Sequence, residues 1–90
     1  MPKVCFTYAL KRFFPEIRPE EMGGATVAQI VRNLDEKYPG IRGYLVDDQG
    51  RLRQHVNIFV DGELIRDRES LSDDASQADE VYIMQALSGG

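Results

Sequence analysis

The last five residues, Ala86-Leu87-Ser88-Gly89-Gly90, are the part of this chain whose types and placement point most directly to chemistry. They follow an apolar run, Val81-Tyr82-Ile83-Met84-Gln85, that reads as a strand. The sequence closes on two glycines and a free carboxylate, with no turn, cap or further helix after that strand. Glycine is costly to order, so it sits where the backbone needs unusual angles or must pass close to something. A terminus has no turn to make, which leaves close passage as the functional reason. A frayed tail or an expression remnant is the bland alternative.

The other chemically capable residues are scattered. Cys5 is the single cysteine, which rules out an intramolecular disulfide and suits a reducing compartment. No histidine or cluster of bases lies near it in sequence, so it reads as structural rather than as an activated sulfur-relay thiol. His55 is the only histidine, has no cysteine or serine beside it, and reads as a strand-end residue. Asp47-Asp48 lacks the ligand spacing and the glutamate of a calcium loop, so it reads as a solvated turn. Gly23-Gly24 lacks the spacing and lysine of a phosphate-binding loop and reads as a bend.

With 90 residues and 42% hydrophobic content, the chain makes one small domain around one core. Its net charge of −4 argues against nucleic acid and would suit a basic partner surface. No apolar stretch is long enough to span a bilayer. Met1-Pro2-Lys3-Val4 carries no signal-peptide pattern, so a cytoplasmic location is expected.

The elements that position the tail follow from periodicity. Val4, Phe6, Tyr8 and Leu10 alternate with Cys5, Thr7 and Ala9, which predicts a strand with one buried face and Cys5 on the other. Residues 11–15 predict a loop, with Phe13-Phe14 as a hydrophobic plug. Residues 16–22 predict a weak strand, at an edge because of Pro19, pairing back as a hairpin. Thr26-Val27-Ala28-Gln29 has the form of a capping box, and Val27, Ile30, Val31 and Leu34 continue as a helical face. Tyr38-Pro39-Gly40 ends that helix, and residues 41–45 hold a short helical turn. Residues 55–60 predict a strong strand, turned by Asp61-Gly62 into Glu63-Leu64-Ile65. Residues 66–78 are polar, with Leu71 as a lone anchor.

A sheet packed on one face by one main helix satisfies the layer rule for so short a chain. The last strand can lie parallel to the first because the connection contains the helix. The expected class is α+β, a β-grasp (ubiquitin-like) mixed sheet, with the domain in residues 1–85 and an extended diglycine tail in 86–90.

On three stretches the sequence resembles a known family, the ubiquitin-like sulfur carriers that include MoaD, ThiS and CysO. One is the capped helix beginning Thr26-Val27. The second is Val56-Asn57-Ile58-Phe59-Val60-Asp61-Gly62-Glu63 with Ile65-Arg66. The third runs from Ala78-Asp79-Glu80-Val81 through Ile83 to Gly89-Gly90. Ala78 stands where the family usually has glycine, and Ser88 precedes the two glycines. The 55–66 stretch is most similar to CysO-like members.

The resemblance implies that this protein is a substrate rather than a catalyst. A ubiquitin-activating-like adenylyltransferase, using ATP and Mg²⁺, would join AMP to the Gly90 carboxylate. A sulfur donor protein or sulfide would then displace AMP, leaving a thiocarboxylate that a downstream sulfur-acceptor enzyme uses in the biosynthesis of cysteine, homocysteine or another sulfur metabolite. Gly89, Ser88 and Leu87 would form the tail that enters the partner, with Leu87 as its apolar anchor. The protein would bind no cofactor and no metal and supply no acid or base. Three other readings stand beside this one: the small subunit of molybdopterin synthase, a protein modifier joined to lysines, and a non-covalent β-grasp interaction module.

Strand parity supplies one further expectation. If Val56, Ile58 and Val60 point inward, Phe59 points out; if Val81 and Ile83 point inward, Tyr82 and Met84 point out. With the last strand beside the 55–60 strand, Phe59, Tyr82 and Met84 gather on one exposed apolar surface suited to docking a partner. A loop from residues 66–78 folded over them, or a one-residue slip, would bury them instead.

Overall fold

Helix α1, Val27–Lys37, forms because Val27, Ile30, Val31 and Leu34 fall on one stripe, and all of them are buried. Burial of each side chain contributes about 1.5–3 kcal/mol. The computed structural model that shows this describes residues 1–85. Thr26 Oγ1 accepts the Gln29 N–H at 3.2 Å, as the capping pattern predicts. The Gln29 side chain reaches back one residue further than the usual box, accepting from Ala25 N at 2.9 Å. The chain leaves the helix through Tyr38 and the left-handed Gly40, and Asp35 Oδ1 accepts the N–H groups of Gly40 (3.1 Å) and Arg42 (3.0 Å). That carboxylate ties α1 to the short helix α2, Ile41–Leu45.

The helix packs on a five-stranded sheet built from β1 (Lys3–Phe6), β2 (Glu20–Glu21), β3 (Val56–Val60), β4 (Glu63–Leu64) and β5 (Glu80–Gln85). Their order is β2-β1-β5-β3-β4. β1 and β5 run parallel and every other pair is antiparallel, which makes this a β-grasp sheet. Val4, Val56, Ile58, Val81 and Ile83 are fully buried on the helix side. The turn between β3 and β4 has positive φ at both Asp61 (49°) and Gly62 (84°), as a two-residue hairpin turn requires.

The structure corrects the first strand. β1 stops at Phe6, and Tyr8–Arg12 is a 3₁₀ helix. Thr7 O accepts the Leu10 N–H at 3.2 Å, which coils the chain away from the sheet. Leu10 still reaches the core, now from the helix, while Tyr8 is 83% exposed. Alternation of residue types along 4–10 therefore has two causes, a strand and then a turn. The second strand is likewise shorter than residues 16–22: only Glu20 and Glu21 pair, at the sheet edge, and Ile17 is a core residue before Pro19.

Leu71 is not a lone anchor in the 66–78 loop, because Ala75 is also fully buried. The loop lies against the start of α1, where Leu71 O accepts from Ala28 N (2.8 Å) and Asp73 O from Val27 N (3.0 Å). Those are N–H groups that a helix cannot satisfy internally. Gly24 has a specific reason to lack a side chain: a Cβ there would stand 2.7 Å from Ile30 Cγ1 and 3.0 Å from Ile30 N. Among the described residues no helix is long and apolar enough to cross a membrane.

Candidate functional site

β5, which leads to the tail, occupies the middle of the sheet and is held at both ends. At its start, Asp61 Oδ1 accepts from Asp79 N (2.9 Å) and Glu80 N (3.0 Å), and Asp61 N donates to Glu80 O (2.9 Å). At its end, Gln85 N donates to Thr7 Oγ1 at 3.0 Å, and Gln85 is the register partner of Val56. The Gln85 side-chain nitrogen lies 3.3 Å from His55 Nε2. His55 is thus at the end of β3, beside the point where the tail begins. Leu87, Ser88, Gly89 and Gly90 lie outside the described residues.

The register gathers the outer-face residues named from parity. Tyr82 is the cross-strand partner of Phe59 on β3 and of Cys5 on β1, and Phe59 is the partner of Leu64 on β4. Met84 partners Asn57 in the next row. Partners in register share a face, so Cys5, Tyr82, Phe59 and Leu64 form one row across the sheet. Phe59, Tyr82 and Met84 are each half-buried, and the exposed apolar member is Leu64, at 51%. Leu64 was missed because a short hairpin arm shows too few residues for its parity to be read. The 66–78 loop buries Leu71 and Ala75 in the main core, and its Arg68 hydrogen-bonds Asn57 Oδ1 on this face, 3.1 Å away.

The other chemically capable residues have structural partners. The Cys5 thiol faces Glu80 Oε2 at 3.9 Å. Burial, and then the Glu80 carboxylate, push its pKa up, which keeps it a thiol and disfavours a relay role. Asp47 accepts from Gln49 N (2.9 Å) and Arg51 N (3.0 Å) and pairs with Arg51 Nε (3.1 Å), so the 47–50 segment is a self-bonded turn. Glu20 accepts from Lys37 Nζ and the Tyr38 hydroxyl, tying β2 to the end of α1. The Lys37 bond first, and then the Tyr38 bond, hold Glu20 below the usual carboxylate range. Burial and then Glu20 push Tyr38 up to about 12. A surface groove of about 610 Å³ beside β4 is lined by Val60, Glu63, Leu64, Ile65, Arg66, Asp73 and Asp74, a set with no cysteine, serine or histidine nucleophile. Among the described residues no group of three or more His, Cys, Asp or Glu is placed to hold a metal ion.

Residues 9–90 of the chain match a family model described as the ThiS family. The chain belongs to the ThiS family. Among curated relatives, sulfur carrier protein CysO of Mycobacterium tuberculosis is 33% identical over 69 residues, spanning 74% of each chain. Small archaeal modifier protein 3 of Haloferax volcanii is 29% identical over 66 residues, spanning 73% of this chain and 71% of that protein. Among solved structures, a chain of the Amycolatopsis orientalis BexX/CysO complex superposes with a TM-score of 0.83 at 26% identity, covering 100% of both chains. The ThiS-family chain therefore has small sulfur-carrier and ubiquitin-like modifier proteins as its relatives, and its β-grasp fold is theirs.

Proposed function

We propose that this protein is a sulfur carrier whose working group is the Gly90 carboxylate. The observation that carries the reading is the placement of β5. The strand that runs into the diglycine tail is the central strand of the sheet, and its own Tyr82 and Met84 share the outer face with Phe59 of β3. A partner docked on that face stands next to the start of the tail.

In the proposed reaction, a ubiquitin-activating-like adenylyltransferase binds ATP and Mg²⁺. The Gly90 carboxylate oxygen attacks the α-phosphorus, pyrophosphate leaves, and an acyl adenylate remains. Sulfide then attacks the acyl carbon and AMP departs with the oxygen, leaving a thiocarboxylate with no change of oxidation state. A carboxylate needs this activation because its own oxygen is a poor leaving group. Gly89 and Gly90 have no Cβ, so they suit a channel fitted to bare backbone. The carrier supplies position, and the partner supplies the chemistry. A downstream enzyme takes the sulfur for a small-molecule product, cysteine or a related metabolite, in the cytoplasm.

Likeness to small archaeal modifier protein 3 favours a second reading, transfer of the activated carboxyl to a lysine amine. One experiment separates the two. The full chain is incubated with its cognate adenylating enzyme, ATP, Mg²⁺ and sulfide, and its intact mass is measured. Replacement of one oxygen by sulfur supports the carrier reading. Covalent conjugates in a lysate, with no thiocarboxylate, replace it by the modifier reading. An unchanged mass with no conjugates overturns both.

A further inference from the structure

We propose that Thr7 is a positioning residue for the tail. Its hydroxyl holds Gln85 at the end of β5 and so fixes the point from which the chain continues toward Gly90. This rests on the reading of Gly90 as the activated group.

The hydrogen bonds around Thr7 are unusual in a way that identifies the role. Thr7 N donates to Ile83 O at 3.0 Å, which continues the parallel β1–β5 ladder. In a regular ladder the next bond would run from Gln85 N to the Thr7 carbonyl. That carbonyl already accepts the Leu10 N–H that opens the 3₁₀ helix. Thr7 Oγ1 takes the Gln85 N–H in its place, at 3.0 Å. Thr7 is also the N-cap of the 3₁₀ helix, where a threonine hydroxyl ordinarily accepts from its own helix. Here it makes no such bond. The hydroxyl is diverted from its local use to a strand residue 78 positions away.

The consequence for the tail is geometric. β5 is clamped at its start by Asp61, and its end is held by Thr7 on one side and by Val56 and His55 on the other. Five residues, the number between Gln85 and the C-terminal carboxylate, can span at most about 18 Å. A carboxylate launched from a fixed point reaches the α-phosphorus in fewer wrong orientations than one on a longer, looser arm. Loss of the Thr7 hydroxyl leaves the Gln85 N–H without its acceptor and releases the end of β5 on its β1 side. The outer row of Tyr82, Phe59 and Leu64 is not altered by that change, so the loss falls on turnover and not on docking.

The test uses the full chain, its cognate adenylating enzyme and ATP–pyrophosphate exchange, together with amide hydrogen exchange read at Gln85. Thr7→Val keeps the shape and removes the acceptor, and Thr7→Ser restores it. The expected result is a kcat about threefold to tenfold lower for Thr7→Val at unchanged KM for the carrier. Exchange at the Gln85 amide should be faster, and both effects should be recovered in Thr7→Ser. If Thr7→Val loses the fold, Thr7→Ala removes the hydroxyl without adding a branched methyl group, and it carries the same expectation for kcat and KM. Wild-type kcat in these variants, a change in KM alone, or no recovery by serine overturns the role of Thr7 while the carrier reading stands. Absence of any exchange with the wild-type chain overturns both.

Discussion

Arg68 and Asn57 meet at the open edge of β3, with the guanidinium Nη1 3.1 Å from Asn57 Oδ1. The other terminal nitrogen donates to Val56 O (3.0 Å) and Arg53 O (2.7 Å). β4 pairs only with Phe59 and Val60, so this stretch of β3 lacks a neighbouring strand on the side away from β5. One planar side chain stands in for it and blunts an edge that could pair with another chain. Arg68→Ala should cost about 1.5–3 kcal/mol in urea unfolding. Arg68→Lys should recover little of it, because an ammonium cannot reproduce the fork. A lysine variant as stable as wild type would remove the fork from the account.

Gly24 should tolerate no side chain. An added Cβ meets the Ile30 backbone nitrogen at 3.0 Å, inside the first turns of α1, where the helix cannot give way cheaply. Gly24→Ala should destabilise by about 1–3 kcal/mol, read as a lower thermal midpoint with an unchanged urea slope. Gly62, whose added Cβ would meet nothing within 4 Å, serves as the control for crowding as opposed to backbone strain.

The docking face predicts a separation of binding from stability. Phe59→Ser with Met84→Ser removes two of the half-buried outer residues and should weaken binding to the adenylating enzyme by about tenfold or more. Leu64→Ser removes the exposed member and should weaken binding with little loss of stability, since its side chain is 51% exposed. Calorimetric titration of folded variants gives the answer, and unchanged affinity in both would sink the docking face without touching the chemistry of the tail.

Within the tail, Gly89→Val should leave the thermal midpoint at the wild-type value and abolish pyrophosphate exchange, because a branched side chain collides with a channel shaped for bare backbone. A residue added after Gly90 should block activation until it is removed. Leu87→Ala should raise KM for the carrier with no change in stability. Normal exchange by Gly89→Val would count decisively against the role given to the diglycine.

Acid stability should report on Asp67. Its carboxylate accepts from Glu69 N (3.0 Å), Ser70 N (2.9 Å), Ser72 N (3.3 Å) and the Ser72 hydroxyl. The Ser72 hydroxyl first, and then the Ser70 amide, hold its pKa down to about 2. That lies below the value of about 3.9 for an unfolded aspartate, so the unfolded chain takes up the proton first. The stabilisation is complete above about pH 4 and is lost as the pH falls through about 2. Thermal midpoints measured across that window should fall less steeply in Asp67→Asn than in wild type. Parallel curves would show that the loop does not depend on the charge.

What could be read along the chain is what local spacing and local hydrogen bonds decide. Val27, Ile30, Val31 and Leu34 repeat at the helical period, and the Thr26 cap lies within one turn, so α1 was legible to its ends. Asp61-Gly62 carries its own requirement for positive φ. The alternation of Val56 and Ile58 with Asn57 and Phe59, and of Val81 and Ile83 with Tyr82 and Met84, assigned faces before any strand had a neighbour. The diglycine end and its family resemblance were likewise in the residues alone. Tertiary structure decided whatever depended on a partner distant in sequence. Residues 4–10 alternate throughout, yet the strand ends at Phe6 because Thr7 gives its carbonyl to Leu10 and its hydroxyl to Gln85. Gly24 gains its reason only when Ile30 packs against it, and Leu64 joins the outer row only through its register with Phe59. The 66–78 loop looked featureless because its task, accepting the N–H groups of Val27 and Ala28, lies in backbone carbonyls that every residue type possesses.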